Sequence, residues 1–215
     1  MEKIVLKHVL PAVFQEQRAV LQSDVWLQEL SLQRGEKVLI EAESGTGKSS
    51  LCSYIFGYRK DFSGEILFDG QDINTLKTGQ WVELRKQSLS MLWQDLRLFP
   101  ELTAWENVQI KNNLTHFQEE KQLHAWFEQL GIADKEQALI GRMSFGQQQR
   151  VALIRALCQP FHFIFVDEPV SHLDERNAQV LGDILSQEVA RQGAGLVVTS
   201  IGKHMQLDYQ KVLKL

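Results

Sequence analysis

The eight residues Ala42-Glu43-Ser44-Gly45-Thr46-Gly47-Lys48-Ser49 constrain what this chain can fold into more than any other segment. They follow Val38-Leu39-Ile40-Glu41-Ala42, an apolar run of strand length, and lead into an apolar helical pattern from Ser49 to about Phe56. A strand that turns through glycines into a helix points backbone N–H groups at an anion. Gly45 and Gly47 let the chain make that turn, Lys48 carries a charge to β- and γ-phosphates, and the Ser49 hydroxyl is a ligand for Mg²⁺. Ser50 continues the helix start. Ala42 stands where the motif G-x-x-x-x-G-K-[ST] has its first glycine, and its methyl is tolerated only at negative φ.

A second acidic site lies downstream. Phe163-Ile164-Phe165-Val166-Asp167-Glu168 is four apolar residues ending in two carboxylates, a buried strand that delivers acids to the carboxyl edge of a parallel sheet. Asp167 would hold Mg²⁺ and Glu168 would orient or deprotonate an attacking water. Further elements are expected as strand Glu65–Gly70, helix Gln80–Lys86, strand Leu89–Trp93, a helix from Ser144 to Cys158, a helix around Arg176–Arg191, strand Leu196–Thr199 and strand Lys211–Leu215. Strands separated by helices imply a parallel sheet covered on both faces. From Asp95 to about Arg142 only helices are expected, one opened by a Thr103/Glu106 capping box and one running Glu119–Leu130 before Gly131.

The 215 residues suit one domain, and 44% hydrophobic with 23% charged residues is ordinary for a globular protein. A net charge of -4 offers no broad basic field for nucleic acid. Cys52 and Cys158 each sit in an apolar helical pattern, so reduced core thiols and a cytosolic compartment are expected. Apolar runs are strand-sized, far short of the ~20 residues a membrane span needs. Lys7 and His8 interrupt any signal-peptide core.

Between the two acid- and phosphate-binding segments lies Met143-Ser144-Phe145-Gly146-Gln147-Gln148-Gln149-Arg150, which resembles the L-S-G-G-Q signature of ABC ATPases with its following Q-Q-R. Ser171-His172-Leu173-Asp174 after the acids and Gln94 upstream complete the family's order. The resemblance covers nearly the whole chain. It implies an α/β fold, a P-loop NTPase core with a mainly parallel sheet, an N-terminal antiparallel β portion and an inserted α-helical subdomain. The single domain 1–215 would have its core at about 1–94 and 145–215 and its helical subdomain at about 95–144. It implies ATP bound by residues 42–50 with Mg²⁺ on Ser49, Gln94 and Asp167, and Glu168, Gln94 and the residue at Ser200 around the attacking water. Ser144, Phe145, Gly146 and Gln147 would serve the nucleotide of a second cassette, a copy of this chain or a homologue, and Asp174 would communicate across that interface. Phe14 occupies the place of an adenine-stacking aromatic, and a core phenylalanine is the other reading.

The run Trp93–Val108 is most similar to the lipoprotein-release, macrolide-export and cell-division branch, whose cassettes pair with membrane permeases. That implies an ATPase held on the inner face of the cell membrane through a permease, with no nucleic-acid partner. Leu96–Leu102 would line the groove for a permease segment, or would bury the helical subdomain. Four positions depart from the family: Ala42 and Phe145 replace glycines, Val170 replaces a small hydroxyl residue, and Ser200 stands where the family has its switch histidine. Serine supplies no imidazole. His204 either substitutes by a bend of the loop or is a surface histidine. These departures imply slow hydrolysis, and they leave open a hydrolysis-deficient, ATP-gated regulatory module. A soluble ABC protein of DNA repair or translation would carry a second cassette, a coiled coil or basic extensions. A P-loop kinase would have no use for Ser144–Arg150.

Overall fold

The computed structural model describes residues 1–170, 173–202 and 204–215. In chain order the elements are β1 (Lys3–Pro11), β2 (Glu29–Gln33), β3 (Lys37–Glu41), α1 (Lys48–Ile55), β4 (Phe62–Phe68), β5 (Gln71–Asp72), α2 (Thr78–Gln87) and β6 (Leu89–Leu92). Then follow α3 (Ala104–Asn112), α4 (Glu120–Gln129), α5 (Phe145–Leu157), β7 (Phe163–Asp167), α6 (Glu175–Gln192), β8 (Gly195–Ser200) and β9 (Lys211–Lys214).

Two sheets result. One is parallel throughout, in the order β6-β7-β8-β3-β9. Its inner strands are continuous apolar runs because helices cover both faces; every residue of β7 and β8 is buried. The other is antiparallel, in the order β2-β1-β4-β5. The expected combination of parallel core and N-terminal antiparallel portion is therefore present. One core fills the space between the antiparallel sheet, α1 and one face of the parallel sheet, around Trp26, Tyr54 and Phe165. The other joins the parallel sheet to α5, α6 and the helical stretch, around Phe127, Leu153 and Val198. Cys52 and Cys158 are free and buried, one in each core.

Helix ends follow their local chemistry. Thr103 Oγ1 accepts from Glu106 N (3.1 Å) while Thr103 N donates to Glu106 Oε2 (2.7 Å), the expected capping box. Ser144 and Gln147 form the same reciprocal pair at the start of α5. Gly64, at φ +89°, is packed where a Cβ would stand 2.5 Å from the carbonyls of Lys7 and His8, beside the register shift of the β1–β4 pair.

Several expected boundaries shift. The strand expected at Glu65–Gly70 starts at Phe62, which pairs with Pro11, and ends at Phe68, with Asp69 and Gly70 left-handed in the turn to β5. α2 starts at Thr78, because Lys77 N donates to Gln80 Oε1 (2.9 Å). The stretch after β6 holds α3 and α4 but also an antiparallel bridge between Thr103 and Leu139. Ser200 does not follow its strand. It ends β8, paired with Glu41 and only 1% exposed.

A candidate nucleotide site at the carboxyl edge of the parallel sheet

Because the sheet is parallel, every strand ends on one edge, and the strand order decides what meets there. The order β6-β7-β8-β3 sets Gln94, the Asp167-Glu168 pair, Ser200 and the 42–47 loop side by side. The loop leaves β3 anchored, since Ala42 N donates to Ser200 O (3.0 Å). Ala42 is not left-handed, so its methyl causes no strain; Gly45 and Gly47 are, at φ 85° and 100°. Gly47 precedes the first turn of α1, whose N–H groups therefore face the loop interior. A Cβ at Gly45 would meet nothing within 4 Å, leaving open room above the cradle.

The functional side chains converge on this loop. Lys48 Nζ donates to Glu43 O (3.1 Å) and lies 3.6 Å from Glu168 Oε1. Ser49 Oγ donates to Asp167 Oδ2 (3.2 Å), and Thr199 Oγ1 donates to the other oxygen of Asp167. Asp167 is thus held buried with both oxygens engaged, and burial with the nearby Asp167 charge pushes the Cys52 thiol up. Glu168 is left-handed at φ 51°, a costly conformation for a side chain. Its N–H donates to Thr199 O (3.0 Å) and its carbonyl accepts from Gln149 Nε2 (3.3 Å). Thr46 Oγ1 donates to Glu43 O (2.9 Å), and Trp26 Nε1 donates to Thr46 O (3.0 Å). The oxygens of Ser49 and Asp167 are hard donors suited to Mg²⁺, and the buried Lys48 with the loop amides suits phosphate.

Other expected residues divide. Glu43, Ser44 and Ser49 are exposed on the loop and helix start, and Ser50 is partly buried. Phe14 is partly buried against the core of the antiparallel sheet, and its Cε2 would lie 3.1 Å from a Cβ at Gly47. Gln94 is exposed just beyond β6. Ser144, Gly146 and Gln147 open α5, and Phe145 beside them is 41% exposed. Asp174 caps α6, accepting from Asn177 N (2.8 Å) and Nδ2 (2.7 Å), while Arg150 Nη1 donates to Asn177 Oδ1 (3.3 Å). Val170 is fully buried. Ser171 and His172 lie outside the described residues. His204 is not a plain surface histidine: it is partly buried, with its ring edge-on to Tyr209 at 6.0 Å. In Leu96–Leu102, Leu96 and Leu98 join the core while Phe99 is 49% exposed. Sequence reasoning missed Trp26 and Thr199, of which only Thr199, adjoining Ser200 at a strand end, carried a signal; Gln149 belongs to the signature segment, but its bond to the Glu168 carbonyl carried none.

A phosphate loop, a cationic lysine and an acid-ended strand one place removed from β3 in the same parallel sheet define the P-loop NTPase class. The comparisons narrow it. A family model described as ABC transporter matches residues 28–171. The lipoprotein-releasing system ATP-binding protein LolD of Coxiella burnetii is 30% identical over 191 residues, covering 87% of this chain and 82% of that protein. The macrolide export ATP-binding/permease protein MacB of Vibrio parahaemolyticus is 34% identical over 161 residues, covering 74% of this chain and 25% of that protein. A solved dimeric, post-hydrolysis ATP-binding cassette bound to ADP and Pi superposes with TM-score 0.73 at 25% identity, covering 92% of this chain and 87% of that one. The chain belongs to the ABC transporter family and is an ATP-binding cassette similar to those of LolD and MacB. Among the described residues no helix is long and apolar enough to cross a membrane.

Proposed function

We propose that this chain is the ATP-binding subunit of an ABC transporter that couples ATP binding and hydrolysis to a separate membrane permease. The observation that carries the reading is the convergence of Lys48, Ser49, Asp167 and Glu168 within one set of short contacts. Incoming phosphate oxygens displace the Glu43 carbonyl and the Glu168 carboxylate from Lys48, which turns its charge onto the nucleotide. Ser49, Asp167 and Gln94 hold Mg²⁺, which when bound neutralises the charge of the β- and γ-phosphates. Glu168, released from Lys48, accepts from the attacking water and orients it. Phe14 covers the base, and Ser50 lies behind the phosphates.

The whole chain acts as one cassette domain, with residues 95–144 as a helical subdomain around the second core. Two cassettes pair, each closing the other's nucleotide. The dimeric cassette bound to ADP and Pi supports this arrangement. Ser144, Gly146 and Gln147 at the positive end of α5 then face the partner's γ-phosphate, and Asp174, the cap of α6, communicates across the interface. The permease docks beside Leu96–Leu102, where Phe99 is exposed, and holds the chain on the inner face of the membrane. Nucleic acid has no part in this reading.

Turnover is slow. Phe145 projects an exposed ring where a small residue would sit by phosphate, and Ser200, buried in β8, has no imidazole to bring to the water. The same two observations favour a second reading, a hydrolysis-deficient, ATP-gated module of a membrane complex. Phosphate release by the purified chain with its permease decides between them: turnover above a Glu168→Gln control supports the first, ATP binding without it the second. Failure to bind ATP overturns both.

A further inference from the structure

Trp26 precedes Thr46 by 20 residues in the chain and lies directly behind the phosphate loop in the fold. Its indole Nε1 donates to Thr46 O (3.0 Å), and its ring is buried at 1% exposure. A Cβ at Gly47 would stand 3.1 Å from Trp26 Cζ2 and 3.1 Å from Phe14 Cε2, so the two rings close the core side of the loop at that residue. The indole is itself held. Ser23 Oγ accepts from Val25 N (3.0 Å) and from Trp26 N (2.9 Å). Asp24 ties the same turn to β9: its N–H donates to Lys214 O (2.8 Å) and its Oδ2 accepts from Lys214 N (2.8 Å). Tyr54 lies edge-on to the Trp26 ring at 6.5 Å. The donor thus belongs to the framework of the two sheets and reaches the loop from outside it.

The loop needs such a donor. Gly47 is left-handed at φ 100°, and a glycine there accepts either orientation of the peptide before it at little cost. The two orientations differ in what they offer an anion. In a trans peptide the C=O and N–H point opposite ways, so one orientation presents the Gly47 N–H to the loop interior and the other presents the Thr46 carbonyl. The N–H attracts phosphate and the carbonyl repels it. Thr46 Oγ1 donates to Glu43 O (2.9 Å), which fixes the side chain but not the plane of the following peptide. The Trp26 indole draws the Thr46 carbonyl to the core side, and so turns the Gly47 N–H away from the core.

We propose that Trp26 is a positioning residue of the nucleotide site, its indole N–H selecting the orientation of the Thr46–Gly47 peptide that presents an N–H to phosphate. It rests on the reading of residues 42–49 as a phosphate loop and adds the group that keeps that loop set for an anion.

The test measures binding of Mg-ATP, and of pyrophosphate, which has no base, by isothermal titration on the full chain. Trp26→Phe keeps an aromatic ring and deletes the donor. Both affinities are expected to fall together by about fivefold, the worth of one hydrogen bond. Should Trp26→Phe fail to melt cooperatively, benzothienylalanine in place of Trp26, the same shape with sulfur for the N–H, is measured instead. Fluorotryptophan in place of Trp26 keeps the donor and is expected to hold both affinities within about twofold of the unsubstituted chain. Affinities indifferent to loss of the donor, a loss for ATP but not pyrophosphate, or an equal loss with fluorotryptophan overturns the proposal while leaving the nucleotide reading intact. An unsubstituted chain that binds neither ligand overturns the nucleotide reading as well.

Discussion

The Lys48 ammonium stands 3.6 Å from the Glu168 carboxylate, both largely withdrawn from solvent, although 120 residues separate them in the chain. Each is the other's counter-ion, so a phosphate that engages Lys48 must separate them. Glu168→Gln removes the competitor for Lys48 together with the group proposed to orient the water. ATP affinity is expected to rise severalfold while phosphate release falls by about 10²-fold or more. Isothermal titration and a phosphate assay on one preparation read both; a fall in affinity would contradict the assignment.

Thr199 holds the buried Asp167 from the neighbouring strand. Thr199→Val keeps the shape and deletes the donor, leaving a carboxylate oxygen short of a partner at a cost of about 1–3 kcal/mol. Denaturant unfolding is expected to show that loss. Mg²⁺-dependent ATP binding is expected to weaken in parallel.

Phe145 is the departure most open to repair, because its ring is 41% exposed and leaves only a modest void. Phe145→Gly is expected to raise turnover severalfold in the assembled transporter, at a helix-propensity cost of about 1 kcal/mol or less. Unchanged turnover in phosphate-release assays would overturn the proposed slowing by the ring.

Glu106 is held below the ordinary glutamate range by the Thr103 backbone N–H, then by the Thr103 hydroxyl. A carboxylate with a lowered folded pKa adds stability above its unfolded pKa, about 4.3, and loses it as pH falls through the folded value. Glu106→Gln is therefore expected to lower the melting temperature at pH 7, with the deficit shrinking below about pH 4. Thermal melts across pH 3–7 check the sign.

Much of the fold was legible because its signals are local. Continuous apolar runs announced β3, β7 and β8, and the Thr103/Glu106 pair announced the start of α3. The phosphate loop was legible too, since a strand, two glycines, Lys48 and Ser49 in register leave few other uses. Ser200 was misplaced by one residue, because pairing with Glu41 carries β8 further than its apolar run suggests. Trp26 reads as an ordinary core aromatic, and only folding brings its Nε1 to Thr46.

The sequence by itself determined the identity of the chemical groups, the strand and helix periods, and the two segments able to meet phosphate and metal. Residue type and spacing carry that information, whatever the neighbours do. Only the tertiary structure decided that Asp167 sits between Ser49 and Thr199 and that Glu168 faces Lys48. Those facts depend on the strand order β6-β7-β8-β3 and on how helices cross the sheet. Long-range packing sets both, and no local stretch of the chain encodes them.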